Sequence, residues 1–128
     1  MAAGSEAYPR PLSDREAETL RFMLSPDDPQ LAPLREQAEV AVVEDMCPCG
    51  CATIDLAVDR ERARPAPGLH SAVVNAWTPQ FDPSKGPYEL ILFLDHGWLS
   101  SLEVVYYSND PPTEFPPIDG FERPHVRT

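Results

Sequence analysis

The chain has 128 residues, the size of a single compact domain, and it carries 21 acidic against 10 basic residues, a formal net charge of −11. This charge repels nucleic-acid phosphates and anionic lipid surfaces, so the sequence predicts that neither is a partner. The 42% of hydrophobic residues can form a core, while the 16 prolines predict long irregular segments.

No targeting or membrane-spanning segment is evident in the sequence. The first 20 residues contain no apolar run of signal-peptide length. The longest apolar run, Leu90 to Leu94, is far shorter than the roughly 20 residues that span a bilayer. The 3 cysteines lie too close together in the sequence to link distant parts of a fold by disulfides. We therefore expect a cytoplasmic protein with reduced thiols.

The N-terminal part of the chain predicts a leader followed by two helices. Residues 1–12 are small, polar and interrupted by prolines, which favours a disordered leader. Ser13 and Glu16 have the spacing of a capping box, and apolar residues then recur at helical spacing, so a first helix is predicted over residues 13–24. A second helix is predicted from Pro33 through Glu39, with proline in its first turn.

After residue 40 the apolar period changes from about 3.6 to 2, which indicates β-strands. Two strands flank residues 47–51, and further strands are predicted at about 71–77, 88–95 and 98–107. The strand at 88–95 is apolar on both faces, so it is expected inside the sheet. It is followed by a tight turn, in which Gly97 suits a positive φ.

These elements predict an α+β domain over residues 13–118, in which two N-terminal helices pack on one face of an antiparallel sheet of about five strands. The C-terminal part is rich in proline, which excludes it from a sheet interior. Residues 119–128 are expected to form a flexible tail.

Cys47, Cys49 and Cys51 are the sharpest chemical signal, because three soft sulfur ligands lie within one predicted hairpin connection. A closed zinc site needs four ligands, so the fourth would have to be His70, His96, an acid or water. The expected cofactor is none, with zinc at these three cysteines as the alternative.

Two other interpretations of the cysteines stay open: thiol chemistry, and three small apolar residues packed in a turn. On a regular strand their sulfur atoms would be about 6–7 Å apart per step, which suits packing better than chelation. We also expect the neighbouring carboxylates of Glu44 and Asp45 to raise the pKa of the thiols.

The sequence contains no recognisable catalytic constellation. Asp95 and His96 are adjacent, which in a tight turn is expected to point them apart. His70 and His125 have no partner that the sequence reveals, and neither a nucleophile motif nor a glycine-rich phosphate loop is present. An enzyme is therefore not expected.

The leading prediction is a non-enzymatic protein-interaction module, such as a regulatory or immunity-like factor. Its acidic composition favours a basic protein as partner, and exposed aromatic residues are common interface anchors. The residues predicted to form this surface are Trp77, Trp98, Glu103 and Tyr107. The sequence does not indicate an oligomeric state.

Two segments, Cys49 to Leu56 and Asp95 to Glu103, resemble a group of small bacterial proteins, mostly of the actinobacterial type, to which no activity is assigned. The resemblance covers about residues 14–117 and implies a helix, a strand pair and a terminal hairpin followed by a proline-rich end. The hairpin turn in that group is Asp-Gly, whereas here it contains one additional residue, His96. The resemblance supports the predicted fold and implies no catalytic residues.

Overall fold

The computed structural model describes residues 7–82, 84 and 86–127. Over these residues the architecture is α+β, with two α-helices, two single-turn 3-10 helices and a six-stranded antiparallel sheet. The elements in chain order are helices α1 (Asp14–Met23) and α2 (Ala32–Ala38), then strands β1 (Ala41–Met46), β2 (Ile54–Val58), β3 (Ser71–Trp77), β4 (Tyr88–Asp95), β5 (Trp98–Tyr106) and β6 (His125–Val126).

The capping box predicted for α1 is confirmed. The Ser13 hydroxyl accepts a hydrogen bond from the Glu16 amide at 3.2 Å, and the Glu16 carboxylate accepts from the Ser13 amide at 2.8 Å. Arg10 adds an ion pair to the same carboxylate, again at 2.8 Å. The apolar side chains that α1 buries, Leu20 and Met23, belong to one core cluster with Leu34 of α2 and buried apolar residues of the sheet.

The strand order is β1-β2-β5-β4-β3-β6, so β4 lies inside the sheet as predicted. Leu90, Leu92 and Leu94 are at most 4% exposed, whereas Ile91 and Phe93 on the opposite face are half-buried. The hairpin between β4 and β5 turns through two residues, His96 and Gly97, which both have positive φ. Positive φ at both positions is the requirement of the tight turn that matches the twist of the flanking strands.

The sheet has one strand more than the sequence predicts, because β6 forms within the segment 119–128 that was expected to be flexible. Val126 pairs with Val74 of β3, and the Arg127 amide donates to the Val73 carbonyl at 2.7 Å. Phe121 is 9% exposed and so anchors this segment in the core. A two-residue strand is too short to show any period in the sequence, and its formation covers the outer edge of β3.

At the N-terminus, residues 1–6 of the predicted disordered leader lie outside the described residues. Arg10, which also falls in that predicted leader, forms two backbone hydrogen bonds with Val43 of β1, at 2.8 and 3.0 Å. In the described part of the chain, no helix has the length and apolar character needed to cross a bilayer.

In the middle of the sheet, β2 and β5 are the neighbouring strands with the fewest paired residues. Only Ile54↔Leu102 and Asp55↔Ser101 are paired there, although each strand continues for three more residues. We call these continuing segments, residues 56–58 of β2 and 98–100 of β5, the β2–β5 seam.

The side chain of Gln37 from α2 braces β5 at the start of this seam. Its amide nitrogen donates to the Gly97 and Arg64 carbonyls at 2.8 and 2.9 Å, and its oxygen accepts from the Leu99 amide at 2.8 Å. Gln37 is completely buried. The Gln37 side chain thus supplies hydrogen bonds to the main chain of β5 that a neighbouring strand supplies elsewhere in the sheet.

Candidate functional site

The connection between β1 and β2 folds back on itself instead of continuing as extended strand. The Cys47 amide donates to the Thr53 carbonyl at 3.0 Å, which closes the loop, and the Gly50 amide donates to the Cys47 carbonyl at 3.2 Å. Gly50 has φ +91°, a conformation that side-chain-bearing residues rarely adopt. This turn reverses the chain between the first and the last cysteine.

The turn brings the three cysteine sulfur atoms together, with all of them within 4.8 Å of one another. The Sγ atoms of Cys47 and Cys49 are 2.8 Å apart, and the Cys51 amide donates to Cys49 Sγ at 3.4 Å. The wider spacing expected for a regular strand does not apply, because residues 47–53 lie outside β1 and β2. Cys49 is exposed and Cys51 is buried.

The hydrogen bond between Cys47 and Cys49 separates the acidities of the two thiols. It raises the pKa of Cys47 to about 11. The same bond, together with hydrogen bonds from Cys51, lowers the pKa of Cys49 to about 7. The expectation that Glu44 and Asp45 raise the thiol pKa values is wrong for Cys49, and the rise at Cys47 comes from Cys49 instead.

Tyr106 and Thr53 also belong to this site, and the sequence did not identify either of them as part of it. The Tyr106 hydroxyl, at the end of β5, donates to Cys49 Sγ at 3.9 Å, and this bond raises the pKa of the phenol. The Thr53 hydroxyl accepts from the Val104 amide at 3.1 Å, which attaches the loop to β5. Alternation along β5 places Tyr106 on a strand, but it does not reveal which loop faces the strand.

Neither histidine proposed as a fourth ligand lies at the cysteine loop. The rings of His70 and His96 face each other with centroids 6.3 Å apart, at the turn that precedes β5. Tyr106 marks the other end of β5, about 27 Å away along an extended strand of this length. Among the described residues, the three cysteines form the only group of three or more metal-ligating side chains within mutual reach.

Asp95 and His96 do not point apart, contrary to the expectation from their adjacency. His96 Nδ1 and Asp95 Oδ1 are 2.7 Å apart, and both side chains are more than 60% exposed. His96 has a positive φ at the first of the two turn positions. An exposed pair at a hairpin tip lacks the burial that usually accompanies a general base.

Of the four residues predicted as an interaction surface, Trp98 lies at the opposite end of β5 from Tyr107, whereas Trp77 pairs with Glu89, and Glu89 with Val105, at the Tyr107 end of the sheet. Trp98 begins β5 and carries the Arg60 guanidinium over its ring at 4.8 Å. Tyr107 directly follows the other end of β5, about 30 Å along the chain. Glu103 is half-buried in the middle of that strand, and Trp77 ends β3.

No family model matches the chain, and no similar curated protein or solved structure was found. The resemblance to the actinobacterial-type group therefore stays a prediction. The candidate function rests on the residues and their geometry.

Proposed function

We propose that the protein binds a thiophilic metal ion reversibly through the sulfur atoms of Cys47, Cys49 and Cys51. The observation that carries this proposal is that all three sulfur atoms lie within 4.8 Å of one another in one closed loop. Thiolate ligands select soft or borderline ions such as Cu(I) and Zn(II). Zinc is the ion for which the test is designed.

The sulfur positions are close to those that zinc requires. Zinc–sulfur bonds of about 2.3 Å give sulfur–sulfur edges of about 3.8 Å in a tetrahedral site. The 2.8 Å separation of Cys47 and Cys49 would widen by about 1 Å, and the longest separations would shorten by a similar amount. Rotations about the cysteine side-chain bonds supply such shifts, so the loop backbone keeps its hydrogen bonds.

Thiol acidity favours metal uptake near neutral pH. Cys49, with a pKa of about 7, supplies a thiolate for the first contact, because the thiolate is the form that binds metal. The higher pKa of Cys47 means that its proton has to be displaced by the ion. Binding should therefore release protons, and it should strengthen as the pH rises.

The site resembles an exchangeable site more than a structural one. Three ligands leave one position of a tetrahedral ion open to water, as in zinc sites that keep an accessible coordination position. Tyr106 lies beside Cys49 and can orient it by a hydrogen bond, the function of groups around metal ligands. The main hydrophobic core is built from other residues, so the domain does not depend on the ion in order to fold.

Zinc titration of the reduced, chelator-free protein against a chromophoric competitor tests this proposal. We expect one equivalent of zinc to bind with release of protons, and Cys49→Ser to weaken binding at least about tenfold. The matched control is the pair His70→Ala and His96→Ala, which should leave the affinity unchanged. Binding that survives Cys49→Ser, or the absence of binding in the wild type, would contradict the proposal.

The short distance between Cys47 and Cys49 also favours a second candidate function, reversible thiol–disulfide exchange. The Cys49 thiolate attacks glutathione disulfide and releases one glutathione thiolate, and the Cys47 thiol then displaces the second glutathione and closes a Cys47–Cys49 disulfide. One glutathione disulfide is thereby reduced to two glutathione molecules. Incubation with glutathione disulfide should give a protein lighter by two hydrogen atoms, with Cys51 still open to alkylation. A stable glutathione adduct at Cys49 would contradict this function.

A further inference from the structure

A cleft of about 470 Å³ opens where β2 and β5 stop pairing. All six residues of the β2–β5 seam line it. Beyond Asp55↔Ser101, β2 and β5 do not pair with each other, although β2 remains paired with β1, and Trp98 and Leu99 of β5 remain paired with β4. The Leu99 amide of β5 is already bound by Gln37, so the inner edge of β2 is the one that faces the cleft unpaired, and an unpaired strand edge is a template for an additional strand.

The volume of the cleft fits a short extended peptide. A residue in a sheet occupies about 160 Å³, from a rise of about 3.3 Å, a strand spacing of about 4.8 Å and a sheet thickness of about 10 Å. Three such residues need about 480 Å³, which is close to the observed 470 Å³. Three is also the number of residues by which each strand continues beyond the last pair.

The charge around the cleft favours a cationic occupant. Three carboxylates line it, those of Glu44, Asp55 and Asp95, against the single guanidinium group of Arg60. Glu103, on the strand next to Asp55, is half-buried, and burial followed by the negative charge of Asp55 raises its pKa. A positive group placed beside Asp55 would relieve this repulsion between carboxylates.

The cleft already holds a guanidinium group that belongs to the chain itself. The Arg60 guanidinium stacks over the Trp98 ring at 4.8 Å, and both residues line the cleft. Aromatic faces and carboxylates together are the usual receptors of arginine. The Arg60 contact is therefore an internal example of the interaction that an incoming arginine side chain would make here.

We propose that the β2–β5 seam binds an extended, arginine-bearing segment of another protein. Its main chain would pair with the inner edge of β2, and its guanidinium group would lie against the Asp55 carboxylate. None of the three cysteines lines this cleft, so the peptide-binding proposal does not depend on metal binding.

The probe is the fluorescein-labelled pentapeptide Val-Arg-Val-Arg-Val with blocked ends, and binding is followed by fluorescence anisotropy and by amide NMR spectra. We expect saturable binding, with the amide signals of residues 56–58 shifting most. Asp55→Asn should weaken binding roughly tenfold, the effect of removing one charge-assisted hydrogen bond. The matched control is Asp45→Asn, because Asp45 pairs with Asp55 across β1 and β2 but does not line the cleft.

Two further peptides separate strand pairing from simple charge attraction. A version with N-methylated backbone amides should bind at least about tenfold more weakly, because it cannot donate to a strand edge. A version with glutamate in place of arginine should not bind. Equal weakening by Asp55→Asn and Asp45→Asn, undiminished binding of the N-methylated peptide, or no saturable binding to the folded wild type would each overturn the proposal.

Discussion

Replacement of Gln37 by methionine tests the role assigned to this buried amide. Methionine has a similar length and fills the same space, so the main loss is in hydrogen bonds. The Leu99 amide would be left buried without its partner at 2.8 Å, which costs about 1–3 kcal/mol. The Gly97 carbonyl keeps its bond from the Ala66 amide, so loss of the two donated bonds adds about 1 kcal/mol.

The expected total is about 2–4 kcal/mol of unfolding free energy, which lowers the melting temperature by roughly 10 °C for a domain of this size. Urea unfolding and calorimetry measure the two quantities. The control Gln30→Met makes the same chemical replacement at an exposed position, and it should alter the unfolding free energy by less than about 0.5 kcal/mol.

Gln37→Glu provides a second, pH-dependent test. The carboxylate still accepts from the Leu99 amide, but it cannot donate to the Gly97 and Arg64 carbonyls when ionised. Burial would raise the pKa of the introduced carboxyl above its unfolded value, so the folded variant is favoured below that unfolded value and loses stability as the pH rises through the folded pKa. The deficit relative to wild type should therefore grow from about pH 4 upward. If Gln37→Met unfolds like wild type, the bracing role of Gln37 is refuted.

Three further predictions follow from other contacts. Gly97→Ala should destabilise the domain by at least about 2 kcal/mol in urea unfolding, because its Cβ would meet the Ala66 carbonyl at 2.5 Å; near-wild-type stability would contradict this. At Glu16, burial opposes ionisation, but hydrogen bonds from Arg10 and the helix cap outweigh it and lower the pKa. The stability advantage of wild type over Glu16→Gln should thus be present above the unfolded pKa and vanish as the pH falls through the folded value; a constant difference would refute this. Iodoacetamide should modify Cys49 first, with a rate that rises with pH through about 7, as peptide mass mapping can show; initial modification elsewhere would count against the proposed thiolate.

The elements that the sequence predicts correctly depend on local signals. The capping box of Ser13 and Glu16 lies within one helical turn, and the continuous apolar run from Leu90 to Leu94 makes up most of one strand. Gly97 in a two-residue turn is a similarly local signal. Each of these patterns is determined by residues a few positions apart, so a single sequence is enough to recognise it.

The features that the sequence does not reveal depend on contacts between distant segments or on non-repetitive backbone. The convergence of the cysteines requires the turn at Gly50 and the attachment of Thr53 to β5, whereas the expected spacing assumed regular strand. Gln37 meets Leu99, 62 positions further along the chain, and nothing in the helix sequence marks that contact. β6 is stabilised by the edge of β3, since its own two residues show no pattern.

The narrow junction between β2 and β5 also affects how the domain opens. The β1–β2 hairpin joins the rest of the sheet through two residue pairs, while β4 is paired along its length on both sides. Partial unfolding takes place along the weakest boundary of a structure. The hairpin should therefore detach as a cooperative unit, and its amide hydrogens should exchange with solvent faster than those of β4. Such detachment would carry the cysteine loop away from Tyr106 while the larger part of the sheet stays folded.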